Sequence, residues 1–171
     1  MIKKVLALAL FIGIVFPLLA TAEVWPWLVR FKGGIGVIPV SSGIGTAATA
    51  TDVNRNIVRG VQPPGQPWVI ADLKADVRVD GHIRVDGRGL LLAGGNRIGL
   101  NGGQSVFATL ICEALAPFTE RNSNVVGVPL EANGDFAIDD VLIPSPVTCD
   151  SPVLLIRSTG GSWFAAGILK Q

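Results

Sequence analysis

Oxygen-bearing side chains cluster in one short stretch of this 171-residue chain, and carboxylate and amide oxygens are the ligands that calcium prefers. They alternate along residues 131–135, and two more carboxylates follow a few residues later. The spacing does not match the EF-hand loop, and Asn-Gly-Asp is also an ordinary hairpin turn. The sequence therefore predicts no metal site and no cofactor. The calcium candidates that it offers are Glu131, Asn133, Asp135, Asp139 and Asp140.

Nucleophilic catalysis of the Ser-His-Asp or Cys-His type would have to use His82, the only histidine. This residue follows Asp80-Gly81 in a charged stretch with no nucleophile motif beside it, and the chain has no G-x-S-x-G sequence. One histidine and two cysteines also do not supply the usual ligand set of zinc. We therefore predict an exposed turn histidine and no catalytic residue.

Paired carboxylates that face each other across a cleft, about 5–10 Å apart, hydrolyse glycosidic bonds. The sequence does not give such distances, and small sandwich domains rarely offer a deep cleft. A small secreted hydrolase that depends on carboxylates or a metal is an alternative function, because several carboxylates are present, but these two points place it second. Its candidate residues are Glu113, Glu120, Glu131, Asp139 and Asp140.

A glycine-rich stretch and the tryptophans are the remaining candidates for ligand contact. Residues 94–103 contain five glycines, but a strand rather than a helix is predicted to follow them, so a flexible connection is favoured over a phosphate-binding loop. Tryptophans stack on sugars, but the chain has no tyrosine, which is common in binding surfaces. Parity places Trp68 on a charged strand face, and Trp163 is expected to pack. The other two are Trp25 and Trp27.

The elements that must position these residues are strands. Apolar and polar residues alternate over 69–79 and again over 83–91, which is typical of strands with one solvated face. A three-residue loop at 79–81 keeps apolar residues opposite one another and puts glycine third, where a type I turn with a G1 bulge needs it. The predicted register pairs Val77 with Ile83, Ala75 with Val85, Asp76 with Arg84, Lys74 with Asp86 and Asp72 with Arg88. The alternating charges of this hairpin leave no net field for an ionic partner.

Other short strands are predicted over residues 25–32, 33–40, 57–61, 105–113, 153–158 and 163–169. A second hairpin, with a loop at 132–134, would pair Leu130 with Phe136 and Val128 with Ile138. No long helical period is present. The predicted fold is all-β: an antiparallel β-sandwich of about eight to nine short strands in a Greek-key or immunoglobulin/transthyretin-like arrangement, with a barrel as the second alternative.

Residues 1–22 have the layout of a secretory signal peptide. Lys3 and Lys4 precede an apolar run of 15 residues, and Ala20-Thr21-Ala22 resembles a cleavage site. The run is shorter than the roughly 20 residues that span a bilayer. We predict bacterial export, cleavage after Ala22, and a secreted, periplasmic or cell-envelope location. One domain is expected over residues 23–171, with a flexible loop at about 41–52.

The two cysteines, Cys112 and Cys149, predict a disulfide, because an even number of cysteines in an exported protein favours one. Closing so long a loop stabilises a fold by about 3–4 kcal/mol in the chain-entropy account. The chain lacks a C-x-x-C motif, which argues against a redox role.

Charge and loop composition give the functional expectation. Without the leader the chain has 12 basic and 13 acidic side chains, which is not the footprint of a nucleic-acid-binding protein, and no membrane span is expected after cleavage. We predict a non-enzymatic domain that binds an extracellular or envelope ligand or protein, or has a structural role there. Loops 62–67, 94–103 and 116–124 would form its variable surface. A further alternative is a subunit of an extracellular assembly, joined by edge-strand pairing through residues 27–32 or 163–169.

Overall fold

The computed structural model describes residues 27–41 and 54–170, and every regular element in these ranges is a β-strand. The predicted signal peptide at 1–22, Trp25 and all of the predicted loop except Ser41 lie outside the described residues. The all-β, antiparallel class is confirmed. The strands are β1 (Trp27–Gly36), β2 (Val40–Ser41), β3 (Asn54–Arg55), β4 (Trp68–Val69), β5 (Asp72–Arg78), β6 (His82–Arg88), β7 (Leu91–Leu92), β8 (Ser105–Ile111), β9 (Arg121–Asn122), β10 (Val128–Pro129), β11 (Phe136–Val141), β12 (Val153–Ser158) and β13 (Trp163–Leu169).

Nine of these strands form one antiparallel sheet in the order β10-β8-β12-β13-β1-β5-β6-β11, with β9 also paired to β8. The sheet curls until it is nearly barrel-shaped. Asn122 in β9 and Ile143, just beyond β11, exchange backbone hydrogen bonds of 3.0 and 2.8 Å, which link the two ends of the sheet. The nine strands of this main sheet agree with the predicted number of eight to nine. Its curl brings the sheet close to the barrel that was the second alternative.

The β5–β6 hairpin has the predicted register at all five predicted pairs. Leu73, Ala75 and Val77 are buried, and the charged residues between them point outward. Gly81 closes the turn with a φ of 87°, which is the left-handed conformation that the turn requires. The alternation ends earlier than predicted, because the chain bends at residues 70–71 and β4 pairs with β7 as a separate small ribbon.

The second predicted hairpin is wrong in its strands, although its turn is present. Glu131 N–H donates to Asp135 O and Gly134 N–H donates to Glu131 O, both at 2.9 Å. Beyond this turn the two strands separate, because β10 pairs with β8 and β11 pairs with β6. Long-range pairing thus prevails over local continuation, and the predicted Leu130–Phe136 and Val128–Ile138 pairs do not form.

Two other predicted strands are also corrected. Residues 33–40 do not form a second strand, because β1 continues through Gly36. Residues 57–61 form a tight turn in which Arg59 and Gly60 have φ of 48° and 87°, and Val58 and Val61 hydrogen-bond to each other. A turn with two positive φ values reverses the chain and excludes a continuous strand.

The strands predicted as free edges lie inside the sheet. β1 pairs with both β5 and β13, and β13 pairs with both β1 and β12. Residues 163–169 are therefore not the unprotected edge that the sequence suggested. In β1 the pairing with β13 begins only at Phe31, so residues 27–29 pair with β5 alone. Strand order depends on contacts between distant segments, and a pattern within one segment does not reveal it.

Strand β8 is buried on both faces apart from its first residue. One face lies in the core, and the segments around Arg59 and Glu120 cover the other. Arg59 donates to Ile111 O at 3.0 Å, and Arg157 in the neighbouring β12 donates to Glu120 at 2.6 Å. Beyond the end of β8, Cys112 forms the disulfide with Cys149, with an S–S length of 2.01 Å.

Candidate ligand-binding cleft

A cleft of about 340 Å³ lies at the end of the curled sheet where β8 and β13 begin and β12 ends. This volume is within the range of small-ligand sites. Three connections from distant parts of the chain line it: residues 64–66, the glycine-rich loop, and the turn between β12 and β13. Two of these connections belong to the loops that the sequence singled out, and no local sequence pattern indicates that they meet. The third predicted loop, 116–124, does not line this cleft.

The floor of the cleft is apolar and rigid. The rings of Trp68 and Phe164 stack at a centroid distance of 4.1 Å and an interplanar angle of 10°, and Leu92 lies beside them. Val37 holds this pair together, because its N–H donates to Phe164 O and its carbonyl accepts from Trp68 N–H, both at 3.0 Å. The two rings are only 5% and 4% exposed, so they close the end of the core and offer little free face for stacking.

The prediction that Trp68 lies on the charged strand face is wrong. The bend at residues 70–71 interrupts the alternation on which the parity argument depended, and turns the indole toward the core. Trp163 packs as expected, 4% exposed, and its indole N–H donates to Asn56 O at 2.9 Å. Trp27 is 43% exposed at the other end of the sheet.

Each of the three connections is fixed by one side chain that bonds to backbone or neighbouring polar groups. Arg55 donates to Gln62 and to Pro63 O, at 3.2 and 3.0 Å. Asn101 in the glycine-rich loop donates to the carbonyls of residues 130 and 131, both at 3.0 Å. Arg157 donates to Gly161 O at 2.9 Å. A cleft held in this way loses little conformational entropy when a ligand binds, so the prediction of a flexible connection at 94–103 gives way to an anchored one.

The rim of the cleft is polar and almost uncharged. Its functional groups are the amides of Gln66 and Gln104, the hydroxyl of Ser162 and the guanidinium of Arg97, whereas Ser158 is buried and its hydroxyl donates to Ser162 O at 3.4 Å. Arg97 is exposed and forms no ion pair with any residue that the structure describes. Amides and hydroxyls both donate and accept hydrogen bonds, as the hydroxyls of a neutral ligand require.

The carboxylates of the calcium candidates Asp135, Asp139 and Asp140 each contact different residues. Asp135 accepts from Gly89 N–H and from the Asn133 amide, both at 3.0 Å. Asp139 lies 2.8 Å from His82, and Asp140 accepts from Asn124 N–H at 2.7 Å. Within the described ranges no group of three or more His, Cys, Asp or Glu side chains is placed to hold a metal ion. Glu131 is exposed in the turn.

The carboxylates proposed for hydrolysis are also engaged. Glu113 accepts from Arg121 at 2.8 Å and from Thr119 N–H at 3.2 Å, and the hydrogen bond from Arg121 lowers the pKa of its carboxyl to about 2. A general acid requires the opposite shift. Glu120 is paired with Arg157.

His82 is partly exposed next to the hairpin turn, as predicted, and its side chain contacts the carboxylate of Asp139. In the part of the chain that the structure describes, no helix is long and apolar enough to cross a membrane.

The chain matches no protein-family model, no curated protein and no solved structure.

Proposed function

We propose that this chain is an exported, non-enzymatic binding domain, and that the cleft over Trp68 and Phe164 takes a neutral polar ligand of the glycan class. One observation carries the proposal: three anchored connections, far apart in sequence, meet over one floor and present an uncharged polar rim. Rigid scaffolds commonly carry binding on loops that meet in this way.

The lining favours a saccharide over an ion or an apolar compound. Two amides, one hydroxyl and one guanidinium supply both donors and acceptors, and they carry a single formal charge. The buried rings limit stacking, so the affinity would depend mainly on hydrogen bonds at the rim. A short oligosaccharide that fills about 340 Å³ satisfies these conditions.

A thermal-shift screen with soluble neutral oligosaccharides tests this proposal on the protein purified after export. At a ligand concentration of 100 Kd, binding stabilises the folded state by about 2.7 kcal/mol, which raises the Tm of a domain of this size by about 5–10 °C. No Tm change across a broad panel would overturn the proposal.

Two variants locate the binding in this cleft. Arg97→Ala and Gln66→Ala remove exposed rim groups, so we expect the ligand-induced Tm rise to fall while the Tm of the free protein stays within about 1 °C. Lys32→Gln, on another face, is the matched control and should retain the full rise. A ligand response that survives both rim variants would place binding elsewhere.

Export is a second part of this proposal. It rests on the layout of residues 1–22, and the disulfide, which persists in oxidising compartments, supports it. Mass spectrometry of the protein recovered from a bacterial periplasm or medium should show an N-terminus at Glu23. A full-length chain retained in the cytoplasm would contradict export.

A second candidate function is a subunit of an extracellular assembly. The region beside β11, where the two ends of the curled sheet meet, favours it. Among the described strands β11 pairs along its length only with β6, and its other side meets the rest of the sheet through the Asn122–Ile143 bridge. Val125, Val141 and Ile143 line a second cleft there and are 55%, 47% and 74% exposed. An incompletely paired strand beside exposed apolar residues accepts a strand from another molecule, here a second copy of this chain.

Light scattering over a wide concentration range tests this candidate. We expect a concentration-dependent dimer that Val141→Lys abolishes, because a buried ammonium in the new contact would lack a partner. Val79→Lys, at an equally exposed valine in the hairpin turn, should leave the dimer intact. A monomeric mass at every concentration removes this candidate.

A further inference from the structure

All three lysines of the described chain meet at one place. Lys32 is in β1, Lys74 is in β5 and Lys170 follows β13, three neighbouring strands of the sheet. Lys32 and Lys74 are direct cross-strand partners, and Lys170 N–H donates to Arg30 O at 2.9 Å. With Arg30, Phe31 and Asp76 the three lysines line a cavity of about 220 Å³ on the outer face of the sheet.

The charges in this cavity are not balanced within the described structure. Asp76 is the only acidic residue of the lining, and it is ion-paired with Arg30. Lys74 lies 3.7 Å from Asp72, which is outside the lining, and neither Lys32 nor Lys170 has an ion pair among the described residues. Like charges directly opposite in a strand pair are unfavourable, yet this register places Lys32 directly opposite Lys74.

The neighbouring hairpin gives the contrast. Asp76 lies opposite Arg84, Lys74 opposite Asp86 and Asp72 opposite Arg88, so the predicted alternation of charges is present in the β5–β6 register. The ion pairs themselves form elsewhere: Asp76 pairs with Arg30, and Lys74 lies near Asp72 in its own strand. The β1 side of the same strand breaks that rule. The prediction that the hairpin has no net field is thus incomplete, because β1 and β13 add cations that the hairpin does not neutralise.

We propose that Lys32, Lys74 and Lys170 form a binding site for a phosphate or sulfate group. A tetrahedral oxyanion has acceptors for several donors at once, and ammonium groups on flexible stems bind it as point charges. The adjoining cleft of about 520 Å³, which shares Arg30 and Lys170 with the cavity, leaves room for the molecule that carries the group. Trp27 lines this 520 Å³ cleft, with the Arg30 guanidinium 5.3 Å from its ring centre.

Calorimetric titration of the purified protein with inorganic pyrophosphate, at constant ionic strength set with chloride, tests the site. We expect saturable binding at one site that weakens as salt increases, since exposed charges are screened. Poly(vinyl sulfate) and the uncharged poly(vinyl alcohol), neither of which is a saccharide, form the second arm. Binding of poly(vinyl sulfate) alone identifies a group carried on a polymer, binding of pyrophosphate alone identifies a free anion, and both results support the site. Failure of both anions to bind, or equal binding of poly(vinyl alcohol), overturns it.

Lys32→Gln and Lys74→Gln place the binding in the cavity. Each should weaken pyrophosphate binding by about tenfold or more. Lys32→Gln should also slightly raise the Tm of the free protein, because like-charge repulsion is relieved, whereas Lys74→Gln also loses its contact with Asp72. The rise in Tm of Lys32→Gln excludes misfolding as the cause of its lost binding. Arg88→Gln removes one exposed positive charge of β6 that does not line the cavity and should bind normally. An equal loss in Arg88→Gln would mean a nonspecific charge effect and would overturn the proposal.

Discussion

Among individual side chains, the Glu113–Arg121 pair gives the clearest dependence on pH. The hydrogen bond from Arg121 lowers the pKa of Glu113 from its ordinary value of 4.5 to about 2. A carboxyl whose pKa is lower in the folded state stabilises the fold above its unfolded pKa, and this contribution disappears as the pH falls through the folded pKa. The contribution of Glu113 is therefore complete above about pH 4.5 and is lost toward about pH 2.

Glu113→Gln tests this contribution by urea unfolding at several pH values. We expect the wild type to exceed the variant by about 1 kcal/mol at neutral pH, a value that allows for solvent screening, and the difference to vanish near the folded pKa. Glu131→Gln changes an exposed turn carboxylate and is the matched control. A difference between wild type and Glu113→Gln that does not change with pH would contradict the assignment.

The contact between Gly87 and Phe136 makes a second prediction for single residues. These residues are direct partners in β6 and β11, and a Cβ at position 87 would lie 2.1 Å from the Phe136 ring. Gly87→Ala should therefore lower the free energy of unfolding by about 1–3 kcal/mol.

The sign of this effect should reverse when the ring is absent. In a Phe136→Ala background the same Gly87→Ala change should be neutral or stabilising by up to about 1 kcal/mol, because alanine restricts the unfolded chain more than glycine. Denaturant unfolding of the four proteins measures the coupling. Equal costs in both backgrounds would show that the ring does not limit position 87.

At the scale of elements, one arginine holds a connecting segment against the sheet. Arg59 lies in the turn between β3 and β4, donates to Ile111 O at 3.0 Å and to the Ser151 hydroxyl at 2.7 Å, and has its guanidinium 5.9 Å from the Phe118 ring centre. Its φ of 48° is one that glycine adopts without strain.

Arg59→Gly therefore keeps the turn and removes the side-chain contacts. We expect a loss of about 1–3 kcal/mol in the free energy of unfolding, because three partly buried acceptors, the carbonyls of Ile111 and Ser151 and the Ser151 hydroxyl, lose their donor. Urea unfolding measures the loss, and Arg97→Gly, at an exposed arginine in another loop, is the control. An unchanged stability would mean that the segment stays in place without this residue.

Whether an element could be predicted from the sequence depends on whether its pairing is local or long-range. The β5–β6 register was predictable pair by pair, because face alternation and the Asp80-Gly81 turn are local signals. The divergence of β10 from β11 was not, because the partners of both strands come from elsewhere in the chain.

The candidate sites also combine local features, which the sequence shows, with long-range contacts, which it does not. Loops 62–67 and 94–103 were recognisable from composition, but their meeting over Trp68 depends on the bend at 70–71 and on the bonds through Val37. The convergence of Lys32 on Lys74 depends on the β1–β5 register, which joins segments 42 residues apart. The sequence therefore identified individual residues and loops with binding chemistry, but it did not predict which of them come together in one site.

For the whole molecule, the disulfide and the cleft lie at opposite ends of the same strands. Strand β8 begins next to Gln104 in the cleft and ends next to Cys112, and β12 runs from the Cys149 side to Ser158 in the cleft. Six residue steps of about 3.3 Å separate the two ends by about 20 Å. Removing the disulfide should therefore lower global stability without altering the cleft.

The Cys112→Ala/Cys149→Ala double variant tests this separation. The bridge joins residues 37 apart in sequence, and its loss should lower the free energy of unfolding by about 3–4 kcal/mol, since the unfolded chain gains freedom. The indole proton of Trp68, in the floor of the cleft, should keep its NMR chemical shift, assigned with Trp68→Phe. A displaced indole resonance in the folded double variant would show that the disulfide also shapes the cleft. An unchanged resonance with a lower urea midpoint would show that the covalent link stabilises the fold while the anchored connections alone maintain the cleft.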